Sequence, residues 1–174
     1  MKFLRGKTLI WVLSVAPVVL ISLTVLFPLF ARFLAAEARK ARCENNVLEI
    51  EAGVNGFVSE YGYFPGTNGV LGGDLLATLT GDNSALNPRK LDFLDVGRAS
   101  EQHSGVAANG VYVDCWGGPY QIAMASGTNQ WVVAGTNGQV VQKRVAVWND
   151  PGLGRDGASL SEAQRAGRYV YSWK

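Results

Sequence analysis

The residues able to do chemistry in this chain are few, and its two cysteines come first. Cys43 and Cys115 are the only thiols in 174 residues. In an oxidising compartment they would join, closing a loop of about 70 residues and contributing roughly 4 kcal/mol through the lost freedom of the unfolded chain. Otherwise they stand as two buried free thiols. His103 is the only histidine, and Cys115 with His103 is a thiol and imidazole pair from which a nucleophile could be built. Against that pairing, His103 lies in a polar Ser/Gly-rich loop and no third residue is indicated to orient it. There is no Gly-x-Ser-x-Gly, no phosphate loop and no His/Cys metal pattern. Asp92 and Asp95 read as a solvated face. The expectation is a chain that is not an enzyme.

Charge narrows the partners. From Ala36 onward, 12 Lys/Arg stand against 14 Asp/Glu, a net of −2 that lacks the basic footprint nucleic acid requires. Those 139 residues are enough for one domain with its own core.

The beginning of the chain decides where that domain sits. Lys2, Arg5 and Lys7 lead into 24 uncharged residues, Thr8 to Ala31, and a helix of that length rises about 36 Å, enough to cross a hydrocarbon core of about 30 Å. A signal peptide cut after Ala38 is one reading, although its apolar region usually spans only about 7 to 15 residues. An ordinary single-pass anchor is another. Charge does not orient the span, because Arg32, Arg39, Lys40 and Arg42 follow it.

The third reading rests on Arg5-Gly6-Lys7-Thr8-Leu9-Ile10, the apolar helix and Pro28, which together resemble the class III leader and first helix of type IV pilins and type II secretion pseudopilins. The resemblance implies that a prepilin peptidase cuts between Gly6 and Lys7 and methylates the amine of Lys7. It also implies a cytoplasmic N-terminus with the remainder outside. Pro28 then falls at mature position twenty-two, where the family commonly has proline. Pro17 and Pro28 each lack a backbone donor and should loosen the helix. Two residues depart from the pattern: Lys7 replaces the usual phenylalanine, and Trp11 replaces the glutamate at mature position five. In the family that glutamate is thought to pair with a neighbour's N-terminal amine, a membrane charge that is costly unless paired.

Beyond the span the helical period continues. Cys43, Val47, Ile50, Val54, Phe57, Val58 and Tyr61 recur at steps of three and four, making an apolar stripe. Gly53 and Gly56 each weaken that helix by about 1 kcal/mol against alanine, and each permits another backbone to come close. Gly62 supplies the stop. Phe64 before Pro65 must leave the helical region, so the aromatics around it can fold back. A short helix over Asp74–Leu79 and a loop through Asn87-Pro88 follow. Tyr120–Ala125, Trp131–Ala134 and Val140–Trp148 read as strands, with Asn137-Gly138 as a hairpin turn. A meander of three or four strands against the helix stripe is the economical core.

Within this part, Asp114-Cys115-Trp116-Gly117-Gly118-Pro119-Tyr120 resembles the Asp-Pro-Trp-Gly-x-Pro-Tyr motif of the type II secretion major pseudopilin, general secretion pathway protein G, with Cys115 in place of proline. Its physics is a turn that buries Trp116 and Tyr120 where the first strand starts. The run Ala146 to Gly157 is similar to the calcium loop of that group, which would make Asn149, Asp150 and Asp156 oxygen ligands. The pair of aspartates that usually follows is missing, and an ordinary polar turn is the other reading.

The fold expected is α+β, pilin-like: a long N-terminal helix, transmembrane in its first half, packed on a small antiparallel sheet. Residues 1–6 would be the leader, 7–35 the membrane half of the helix and 36–174 the globular part. The function the resemblance implies is that of a subunit of a secretion pseudopilus or type IV pilus-like filament. It would be anchored in the bacterial inner membrane, with its globular part periplasmic, before assembling with itself or with other pseudopilins. The alternative is an anchored periplasmic binding or interaction domain that does not polymerise.

Overall fold

A computed structural model describes residues 3–100, 104–125, 131–135, 137–155 and 157–173, with the side chains of 3–23 and 25 outside the description. The chain forms two compact units, Met1–Ala38 and Arg39–Lys174. Helix α1 runs Phe3–Tyr61, so the backbone stays helical through Pro17 and Pro28 and the expected loosening does not break it. In the first unit Leu26, Phe27, Leu29, Phe30, Phe33 and Leu34 are each more than half exposed. Among the described residues no helix is long and apolar enough to cross a membrane; most of the side chains of the 8–31 stretch lie outside those residues.

In the second unit the predicted stripe is the inner face of α1. Cys43, Val47, Ile50, Val54 and Phe57 have no exposed surface, while Val58 and Tyr61 are half-buried. The helix stops where expected: Gly62 adopts φ +78° and its N–H donates to the Val58 carbonyl at 2.8 Å. Beyond it Tyr61 and Tyr63 gather with Phe93 around Phe57, with ring centroids 4.7 to 5.5 Å from it. The chain then makes β1 (Gly69–Val70), α2 (Gly73–Leu79), β2 (Gly105–Val106) and β3 (Tyr112–Val113). There follow β4 (Tyr120–Met124), β5 (Val132–Ala134), β6 (Gln139–Val141), β7 (Val145–Asn149) and α3 (Glu162–Arg168).

The strands do not form the expected meander. One antiparallel sheet has the order β1-β4-β7, while β2-β3 and β5-β6 are separate pairs. The run expected as one strand from Val140 to Trp148 breaks at 142–144. There the ammonium of Lys143 donates to both carboxylate oxygens of Glu51 on α1, at 2.9 and 3.0 Å, and to the Ser172 carbonyl at 2.6 Å.

Alternation along β4 and β7 explains the arrangement. Tyr120, Ile122, Met124, Val145 and Val147 pack on the helix side, whereas Ala123, Ala125 and Ala146 face a second, smaller core with Val132, Ala134 and Val141. Three alanines leave a shallow back face, and the β5-β6 hairpin lies over it instead of extending the sheet. The expected Asn137-Gly138 turn does close that hairpin, with Gly138 at φ +66°.

The outer edge of β7 is covered. The Ser172 N–H donates to the Val147 carbonyl at 2.8 Å, its hydroxyl accepts from the Val147 N–H at 3.1 Å, and the Asn149 N–H donates to Val170 at 3.2 Å. The loop before β2 is held by Asn87, which is fully buried and donates to the Thr78 and Leu91 carbonyls at 2.9 and 2.7 Å. Its amide oxygen accepts from the Tyr61 hydroxyl at 2.7 Å.

Candidate functional site

The expected turn at 114–119 is held by several hydrogen bonds. Asp114 is buried, and its N–H donates to the Gly118 carbonyl at 2.7 Å while Gly117 takes φ +80°. One carboxylate oxygen, Oδ1, accepts from the backbone N–H groups of Trp116 and Gly118, both at 2.8 Å. The other, Oδ2, accepts from the Asn149 amide at 2.6 Å. Burial pushes the Asp114 carboxyl up from its ordinary range. The three hydrogen bonds and the charge of Arg168 pull it back. A side chain at Gly118 would put its Cβ 3.0 Å from the Asp150 carbonyl oxygen, which is why the turn needs a residue without one. Tyr120 is buried as expected, and Trp116 is half-buried beneath the Arg168 guanidinium, 5.8 Å from the ring centroid.

Asn149 extends the network. Its amide also donates to the Arg168 carbonyl at 3.0 Å, and its Oδ1 accepts from the Val170 N–H at 2.9 Å. The oxygen expected to face calcium is thus turned inward onto the backbone. Asp150 caps the short turn Pro151–Leu153, accepting from Gly152 N–H at 2.9 Å, and Asp156 lies outside the described residues. Among those described, no group of three His, Cys, Asp or Glu side chains is placed to hold a metal ion.

The fold brings the two cysteines together. Both are buried thiols, and the Cys115 N–H donates to Cys43 Sγ at 3.1 Å. Hydrogen bonding between the two thiols, followed by burial, raises Cys43, while the same bond holds Cys115 below its ordinary range. Ser104 bonds to Cys115 and also accepts from the Asn46 amide, which reaches the Tyr120 hydroxyl at 3.3 Å. The pair therefore sits at the bottom of a small polar cluster between α1 and the start of β4. Its available chemistry is the joining of the two thiols as a disulfide, with two electrons and two protons passed to an external oxidant. His103 lies outside the described residues.

Of the residues the network uses, Ser104, Asn46 and Arg168 carried no signal of their own in the sequence. A polar side chain that bonds inward reads the same as one facing water. The turn motif was the one local clue. Comparison with protein-family models, with curated proteins and with solved structures finds no match for this chain.

Proposed function

We propose that this chain is a structural, non-catalytic subunit of a filament of the type II secretion pseudopilus or type IV pilus kind. On this reading it is held in the inner membrane by the first part of α1 and assembled through that helix, and its second unit is the periplasmic head. The observation that carries the reading is the row Leu26, Phe27, Leu29, Phe30, Phe33 and Leu34, large apolar side chains left exposed on one helix. Apolar surface of that extent needs cover, and a bilayer followed by neighbouring helices would supply it in turn. The helix that continues into the wall of an α+β head, and the Asp114 turn at the start of β4, support the same reading.

A second reading, an anchored periplasmic domain that does not polymerise, is favoured by Trp11. It cannot make the pairing of charge through which the family's subunits are thought to meet. Intact mass and N-terminal analysis of the protein from membranes test the proposal. It requires a chain beginning at N-methylated Lys7. Retention of Met1, or a product beginning at Arg39, sinks it. Cysteine-specific crosslinking of single-cysteine variants at Leu26 and Leu34 then separates the two readings, since only a filament subunit gives ladders of multimers.

A further inference from the structure

We propose that the cleft between the β5-β6 hairpin and residues 169–173 is a binding site for a neutral saccharide. The cleft holds about 510 Å³ and is lined by Trp148, Tyr169, Tyr171 and Trp173 together with the amides of Asn137 and Gln139. That volume lies within the range of small-ligand sites. The rings form one connected surface: Trp148 and Trp173 meet edge to face at 5.9 Å, and Tyr171 and Trp173 lie tilted at 5.2 Å. Asn137 and Gln139 stand exposed at its rim. The Trp173 indole N–H donates to Gln139 Oε1 at 3.4 Å, and Gly135 lies beneath both the Asn137 oxygen and the Trp173 ring.

The lining selects the ligand class. Among the described residues no charged side chain lines the cleft, so these give a phosphate or carboxylate no counter-ion and offer an ammonium rings without an acid beside them. A purely apolar ligand would strip water from two primary amides and give nothing back. A sugar satisfies both halves of the lining. The C–H face of a pyranose ring lies against an aromatic plane, and adjacent hydroxyls match an amide, which presents a donor and an acceptor side by side. A polyproline peptide also uses aromatic grooves, but its backbone offers carbonyls alone to such amides.

The test uses the full chain in lauryldimethylamine oxide, a detergent without sugar groups, titrated with chitotetraose, cellotetraose and maltotetraose. Tryptophan emission and saturation-transfer NMR are the readouts. At least one oligosaccharide is expected to bind saturably. Gln139→Ala, an exposed change that leaves the core alone, and Trp173→Ala should each weaken that binding about tenfold, the equivalent of 1.4 kcal/mol. Trp131→Ala, at an exposed tryptophan outside the cleft, should leave it unchanged. The proposal is overturned if none of the three sugars binds, if binding survives both cleft variants, or if a proline decapeptide binds the cleft while the sugars do not.

Discussion

Two glycines one helical turn apart on α1 should answer oppositely to the same substitution. Replacing glycine by alanine inside a helix is worth about 1 kcal/mol in propensity, so the change would stabilise if nothing stood in the way. At Gly53 a Cβ would lie 2.5 Å from the Phe93 carbonyl oxygen. That oxygen is backbone, in a segment held to α2 by the Phe93 N–H bond to the Leu79 carbonyl at 2.8 Å. The loop cannot retreat without losing this bond and lifting Leu94 from the core, where it is 2 % exposed. Overpacking of this kind costs about 1 to 3 kcal/mol and a lost hydrogen bond about 1 more. The sum outweighs the propensity gain, leaving Gly53→Ala destabilised by about 2 kcal/mol. At Gly56 the nearest atom is Cδ1 of the Phe93 ring at 3.3 Å, a side-chain atom that can yield. Gly56→Ala should therefore lie between neutral and about 1 kcal/mol more stable. Urea and thermal unfolding followed by tryptophan emission measure both, and in the thermal scan the melting temperatures should separate by about 5 to 10 °C for a unit of this size. Equal stabilities, or Gly53→Ala the more stable of the two, would refute the reasoning.

Asp114→Asn keeps the shape of the side chain but sets an NH2 against the Asn149 amide or against the two backbone donors. It should cost about 3 kcal/mol in the same assay; a loss below about 1 kcal/mol would show that the network is not needed. Refolding with oxidised glutathione, which accepts the two electrons and two protons released, should yield a Cys43–Cys115 disulfide seen by peptide mapping. It should raise the urea midpoint relative to reduced protein, and Cys43→Ser should abolish the gain. Burial pushes the Tyr112 hydroxyl up to about 12 from 10.0, and raises Tyr120 as well. Both are neutral in the folded state, so their contribution is intact below about pH 10 and is lost as pH rises toward about 12. Unfolding midpoints measured from pH 8 to 12 should be flat and then fall, and Tyr112→Phe should soften that fall.

What could be read from the sequence was the local periodicity. The stripe from Cys43 to Phe57, the stop at Gly62, the helix over 74–79 and the Asn137-Gly138 turn each depend on a few neighbouring residues, and each stands in the structure. The pairing of β4 with β7 and with β1 was not legible. β1 has two residues, too short for any alternation, and the choice of partner is made by three alanines whose meaning depends on what covers them. The Asp114 turn showed itself as a motif, but not its partner Asn149. Calcium was expected for that asparagine from the resemblance of the 146–157 run to a calcium loop, and in a sequence an amide oxygen looks alike whether it faces an ion or a backbone N–H. The cleft beside Trp173 was equally hidden, since its lining side chains come from a hairpin, a strand, α3 and the last segment.

The cover over β7 has a consequence for how copies of this protein can meet. A free strand edge is an invitation to lateral growth, and many chains polymerise or aggregate by accepting a foreign strand there. Here Ser172 spends both its backbone N–H and its hydroxyl on Val147, so the long side of the sheet is already sealed from within. The opposite side ends in the two-residue strand β1, too short to template another chain. Assembly across this sheet must therefore be built from side chains meeting side chains, and a variant that unseats Ser172 would open its long edge to a foreign strand.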